Sequence, residues 1–170
     1  MPKTVVITGP ESTGKSTIAK AMASELEAAY VDEMAREYLE NLGRSYDESD
    51  MHKMSALQLD SQLTALRSDA GILVCDTDLL TFIIWWEVKY GLCPQKWVDL
   101  WKSNQPDVYL LMDIDLEWEE DPLREHPTRR EELMERYVEK LKTVDTPYHI
   151  VSGQGKDRLA NAKRALKALL

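Results

Sequence analysis

Gly9-Pro10-Glu11-Ser12-Thr13-Gly14-Lys15-Ser16-Thr17 decides how the rest of the chain is read. The stretch fits G-x-x-x-x-G-K-[ST] and stands in the context that gives that pattern physical meaning. Ahead of it, Thr4-Val5-Val6-Ile7-Thr8 reads as a buried strand. Behind it, Ile18, Met22 and Leu26 recur at helical spacing. Gly9 and Gly14 allow backbone turns closed to residues with a Cβ. The amides of residues 11–16 then converge on a polyphosphate at a helix N-terminus, whose dipole favours negative charge. Lys15 places a cation between β- and γ-phosphates, and Ser16 offers a hydroxyl to Mg²⁺. The expected ATP contacts are therefore Gly9, Glu11, Ser12, Thr13, Gly14, Lys15, Ser16 and Thr17.

Working outward, 170 residues are expected to form one domain with a proper core. A composition of 44% hydrophobic and 30% charged residues is that of a soluble globular chain. No apolar run approaches the roughly 20 residues that span a bilayer. The first strand begins almost at once, leaving no room for a signal peptide, so a cytoplasmic location is the default expectation. Two cysteines without C-x-x-C spacing suggest neither a disulfide framework nor a zinc site. A net charge of −9 argues against a nucleic-acid partner, which needs a basic face. A nucleotide stays compatible, because a P-loop neutralises phosphates locally.

Strands are expected at 29–31, 72–75, 108–112 and 147–151 besides the first. Helices are expected from Met34 to near Gly43, from about Asp50 to Asp69, and over 79–90, 94–103, 131–142 and the C-terminal stretch. Met51, Met54, Leu57, Leu63 and Leu66 form the expected apolar stripe of the second of these. Strands alternating with helices predict an α/β fold: a five-stranded parallel sheet with helices on both faces. Ligands of such folds bind outside the C-terminal strand ends. Residues 115–140 hold ten Asp/Glu against five Lys/Arg and are broken by Pro122 and Pro127. The part spanning 116–130 is where a mobile lid is expected, with Arg124, Arg129 and Arg130 as cations for the transferred phosphoryl group.

Asp76 closes an apolar strand, where P-loop proteins keep the carboxylate that orients Mg²⁺. Asp78 is a candidate for substrate contact or for helix capping. Asp32 and Glu33 end the second strand, where a carboxylate can hold a substrate hydroxyl and take its proton; Arg36 lies one turn on. Ser152-Gly153, after the fifth strand, is a candidate adenine-edge loop. Trp85 and Trp86 point about 100° apart on a helix, which leaves one for the core and one, taken as Trp85, to stack on a flat base. The absence of [NT]-K-x-D argues against a switch GTPase.

Gly9-Pro10-Glu11-Ser12-Thr13-Gly14-Lys15-Ser16, Glu33-Met34-Ala35-Arg36-Glu37-Tyr38, Asp76-Thr77-Asp78, and Glu117-Trp118 with Arg124 resemble the ribosylnicotinamide kinase domain of NadR-type proteins. The similarity covers nearly the whole chain. It implies a nucleoside-kinase-like P-loop fold and transfer of the ATP γ-phosphate to the ribose 5′-hydroxyl of nicotinamide riboside. Implied catalytic residues are Lys15, Glu33, Asp76 and Arg124. Together the candidate substrate contacts are Asp32, Glu33, Arg36, Asp78 and Trp85, and Ser16 and Asp76 would serve the metal. The chain departs from some family members at Asp32, where they carry an aromatic able to stack on the pyridine ring. Kinases for other nucleosides or nucleoside monophosphates, and a regulatory module with slow ATPase activity, are the alternative readings.

Overall fold

A computed structural model describes residues 1–170. In chain order the elements are β1 (Lys3–Thr8), α1 (Lys15–Glu25), β2 (Ala29–Val31), α2 (Met34–Leu42), α3 (Glu48–Ala65), β3 (Ile72–Asp76), α4 (Leu79–Tyr90), α5 (Gln95–Ser103), β4 (Val108–Met112), α6 (Arg130–Leu141), β5 (Tyr148–Val151) and α7 (Gly155–Leu169). The five strands form one parallel sheet in the order β2-β3-β1-β4-β5. β1 is central and pairs with β3 on one side and β4 on the other. The chain reverses direction across the sheet there, opening a crevice at the carboxyl end of β1.

Strand alternation sorts the interior into two layers. Val5, Ile7, Val74, Leu110 and Met112 pack with Ile18 and Met22 of α1 and Leu166 of α7. Val6, Cys75, Tyr109 and Leu111 point the other way, onto residues of α3, α4, α5 and α6. Both faces of the sheet are covered, which is why its strands read as continuous apolar runs.

Two expectations about α3 need correction. The helix ends at Ala65 rather than Asp69, because Arg67 and Ser68 turn back onto Thr64 and Ala65 through short-range bonds. Its buried face runs through Met51, Met54, Ser55, Gln58 and Leu59, while Leu57 and Leu63 are exposed. Two polar residues belong to the inner stripe because each has a hydrogen-bonding task. Ser55 bonds the Met51 carbonyl, and Gln58 holds the β2–α2 junction by accepting from Met34 N–H and donating to the Asp32 carbonyl.

The turn from α2 to α3 is held by one buried carboxylate. Asp50 accepts from Tyr38 Oη at 2.6 Å and from both terminal nitrogens of Arg44, and it completes a capping box with Asp47. These bonds keep its carboxyl well below the ordinary carboxylate range, the Arg44 pair contributing most.

Gly9, at the end of β1, has φ of +140° and lies against β4. A Cβ there would meet the Met112 carbonyl oxygen at 2.8 Å. Gly9→Ala should therefore push the loop off β4 and destabilise the fold by about 2 kcal/mol or more. Thermal unfolding of the variant checks this.

Candidate active site

The loop from Gly9 to Gly14 follows β1 and leads into α1, whose N-cap is Gly14 in the left-handed conformation. No side chain caps α1. Its first N–H groups thus lack an intrahelical partner and carry the positive end of the helix dipole, the arrangement that binds anions. Inside the loop, Thr13 Oγ1 and Lys15 Nζ both donate to the Pro10 carbonyl, at 2.8 and 2.7 Å. Burial draws the Lys15 ammonium below its ordinary value, opposed by Glu33, Asp76 and Glu11.

This loop forms the floor of a cleft of about 710 Å³, a size suited to nucleotide-scale ligands. The opposite wall carries Glu33, Arg36, Leu39, Trp85 and Val88 from α2, α4 and the β2–α2 junction. Residues 113–129, which form neither helix nor strand, contribute Leu123, Arg124 and His126. Trp86, beside Trp85, is only 1% exposed and belongs to the core.

Asp76 ends β3 beneath the loop and accepts from Ser16 Oγ at 2.5 Å. Its other oxygen, Oδ1, is buried without a partner. Burial, reinforced by the charge of Glu33, pushes its carboxyl up to about 6. Thr77 follows with φ of +67°, an outlier for a β-branched residue, pinned by its N–H to the Ile7 carbonyl.

Glu33 occupies the N-cap position of α2 yet makes no side-chain cap, and it faces the cleft. Arg36 pairs with Asp121 at 3.1 Å and, more loosely, with Glu40, not with Glu33. Of Arg124, Arg129 and Arg130, only Arg124 reaches the cleft, where its guanidinium bonds the Glu119 carbonyl and lies 5.9 Å from the Trp118 ring. Arg129 is paired with Glu132. Arg130 ties the segment to the loop, donating to the carbonyls of Ser12 and Leu116.

Four expected contacts lie elsewhere. Asp78 is 3% exposed, caps α4 through Leu80 N–H and accepts from Tyr109 Oη, so both oxygens are used inside the core. Asp32 is outside the cleft lining and accepts from Tyr30 Oη and Glu33 N–H. Ser152 Oγ and Gly153 N–H are turned onto Asp113 and Asp115. The cleft is lined instead by the next residues, Gln154 and Gly155, with Arg158. An aspartate at a strand end satisfies its own local backbone first, and that competition is invisible in a spacing pattern.

Arg158 is a site residue that the sequence did not signal. Although 2% exposed, it donates to Asp115 and to the carbonyls of Gly153, Thr13 and Asp113, joining the P-loop to the ends of β4 and β5. It stands on the buried face of α7 with Ala162, Ala165 and Leu166, and only a charge at helical spacing from those residues could have marked it.

The strand order, the loop over the central strand and the aspartate at the end of β3 define the P-loop kinase fold. The AAA domain family profile matches residues 4–158, and the chain belongs to that family. Among solved structures, a NadR protein in complex with NR has a TM-score of 0.83 at 24% identity, covering 99% of this chain and 51% of the other. A NadR protein in complex with NAD and AMP-PNP gives 0.75 at 25% identity, covering 99% and 49%. Deoxyadenosine kinase from M. mycoides gives 0.72 at 18% identity, covering 97% and 99%. The chain thus spans about half the length of the NadR proteins and nearly all of the nucleoside kinase. No curated protein matches the sequence. No helix is long and apolar enough to cross a membrane.

Arg158→Lys keeps the charge but cannot make four planar donations. It should lower stability by roughly 2–4 kcal/mol and weaken nucleotide binding, because the Thr13 carbonyl loses its anchor. Thermal melting and calorimetric titration with AMP-PNP check the two effects.

Proposed function

We propose that the protein is an ATP-dependent kinase that phosphorylates the 5′-hydroxyl of a nucleoside, with nicotinamide riboside as the acceptor. One observation carries the reading. A single cleft joins an uncapped P-loop helix to a wall holding a free carboxylate, Glu33, and a flat aromatic, Trp85. The first half suits a polyphosphate, and the second suits a ribose and a planar base. Similarity to the NadR proteins supports the riboside as acceptor.

In this reading the loop amides and Lys15 hold the β- and γ-phosphates, and Lys15 leaves the Pro10 carbonyl to reach them. Phosphate charge restores the ammonium that burial weakens. Glu33 accepts the 5′-hydroxyl, positions it in line and takes its proton. Phosphoryl transfer is largely dissociative, so positioning is the main contribution of the base. Arg124 neutralises charge on the transferred group, and residues 116–130 close over it and exclude water. Trp85 stacks on the base and Arg36 borders the ribose side.

Mg²⁺ fits the residues present. Ser16 Oγ and the partnerless Asp76 Oδ1 are the hard oxygen donors such an ion selects. No cluster of three or more His, Cys, Asp or Glu side chains could hold a metal alone, so phosphate and water would complete the shell. When bound, the ion neutralises the β- and γ-phosphate oxygens.

Lys15→Ala should lower turnover by about 10²–10³ with the fold intact, measured by coupled ATP-consumption assay and circular dichroism. Glu33→Gln should reduce acceptor-dependent turnover while leaving MgATP affinity almost unchanged. Asp76→Asn should instead weaken the Mg²⁺ dependence of turnover with every acceptor. Steady-state kinetics and MgATP titrations on both variants separate these roles. Equal losses of MgATP affinity would overturn the assignment. A screen of nucleosides and nucleoside monophosphates tests the acceptor: ATP consumption should require nicotinamide riboside. Preference for another nucleoside would move the substrate assignment, and acceptor-independent turnover would favour a regulatory ATPase module.

A further inference from the structure

The wall residue Trp85 is not held by its own helix alone. Its indole Nε1–H donates to Tyr46 Oη at 2.9 Å, and the two rings meet edge to face with centroids 5.2 Å apart. Tyr46 lies in the α2–α3 turn, outside the cleft lining. That hydroxyl has a single proton, which it gives to the Glu125 carboxylate, 2.9 and 3.1 Å from the two oxygens. Glu125 belongs to the segment over the cleft. The backbone N–H groups of Glu125 and His126 donate in turn to the Glu11 carboxylate of the P-loop, at 3.2 and 3.0 Å. His126 Nδ1 lies 3.4 Å from the same carboxylate.

A continuous run of bonds therefore leads from the aromatic wall to the phosphate loop: Trp85, Tyr46, Glu125 and its backbone, Glu11. Tyr46 is fixed on the remaining sides. Lys89, one turn beyond Trp85 on α4, places its ammonium 3.5 Å from the Tyr46 ring centroid. The turn itself is anchored by Arg44 and Asp47 on Asp50. Burial raises the Tyr46 hydroxyl above its ordinary value, so it stays a donor at neutral pH. Glu125, by contrast, is exposed and on a segment without regular secondary structure. The link thus joins the aromatic pair to the segment between β4 and α6, which has no helix or strand of its own.

We propose that Tyr46 is a positioning residue that couples the orientation of Trp85 to closure of residues 116–130 over the P-loop. The inference rests on reading Trp85 as the acceptor wall, and it adds a cause for ordered assembly of the site. Nucleotide bound at the P-loop moves or stiffens Glu11 and the backbone it holds. Glu125 then fixes the Tyr46 hydroxyl, and Trp85 is set in the orientation that receives a planar base. Acceptor and nucleotide consequently tighten each other's binding, because both favour the same closed arrangement.

The test reads Trp85 directly. The chain has five tryptophans, so ¹⁵N correlation spectra contain five indole signals, and Trp85→Phe identifies the one required. Adding Mg–AMP-PNP, with no acceptor present, should displace the Trp85 signal in the wild type. The displacement should be abolished in Tyr46→Phe, which keeps the ring, and in Glu125→Ala, which keeps the backbone bonds to Glu11 and alters only an exposed side chain. With nicotinamide riboside added, wild-type affinity for AMP-PNP should rise by about fivefold or more, and by little in either variant. The double variant should show no further loss, since both changes cut one link. A wild-type signal that ignores the nucleotide, or an equal displacement in Glu125→Ala, overturns the coupling. Because the spectral arm contains no acceptor, it succeeds or fails independently of which nucleoside is phosphorylated. Calorimetric binding of AMP-PNP alone separates loss of coupling from loss of nucleotide binding.

Discussion

The N–H groups that open α1 have no partner within the helix, and no side chain is supplied to cap them. Much of the structure follows from keeping those donors aimed at one point. Gly9 must approach β4 too closely for a Cβ, and Gly14 must turn left-handed to start the helix. The loop between them would otherwise be a flexible surface turn. It is held instead by internal bonds to the Pro10 carbonyl and by outside anchors from Arg130 and Arg158. Preorganised donors cost little reorganisation when charge arrives, which is the form of stabilisation phosphoryl transfer needs.

That arrangement places unfavourable groups in the interior. Asp76 and Asp78 are buried carboxylates on either side of a backbone outlier, each pushed up to about 6 by burial. Their fates differ. Asp78 is satisfied by an N-cap bond and a tyrosine, and its role is structural. Asp76 keeps one oxygen without a partner directly beneath Ser16. A buried polar atom left unsatisfied is costly to the fold, and a bound cation would relieve that cost.

The other half of the cleft is built differently. Glu33 and Arg36 come from the start of α2, after the edge strand β2, and Trp85 comes from α4. Their relative placement depends on polar residues inside α3: Gln58 fixes the β2–α2 junction, and Asp50 fixes the turn bearing Tyr46. The segment after β4 touches both halves, through Arg130 and Glu11 on the phosphate side and Tyr46 and Arg36 on the other. Its position makes it the natural element to report occupancy of one half to the other.

The chain by itself determined the parallel α/β fold, the P-loop and the aspartate ending β3. Each is a local signal, written in consecutive residues: apolar runs of strand length, helical spacing, two glycines at a fixed interval. What only the tertiary structure decided was which candidate carboxylates are free. Asp32 and Asp78 read as well as Glu33 and Asp76 in sequence, yet Asp78 spends both oxygens inside the core, and Asp32 lies outside the cleft lining with one oxygen turned onto Tyr30 Oη and Glu33 N–H. Ser152 and Gly153, the candidate adenine-edge turn, likewise face two aspartates after β4, so the lining passes to Gln154 and Gly155. Arg158 and Tyr46 had no local signature, because their partners lie far along the chain. Periodicity fixes which elements form and which faces they bury. The spending of each polar side chain's hydrogen bonds is settled only when distant elements meet.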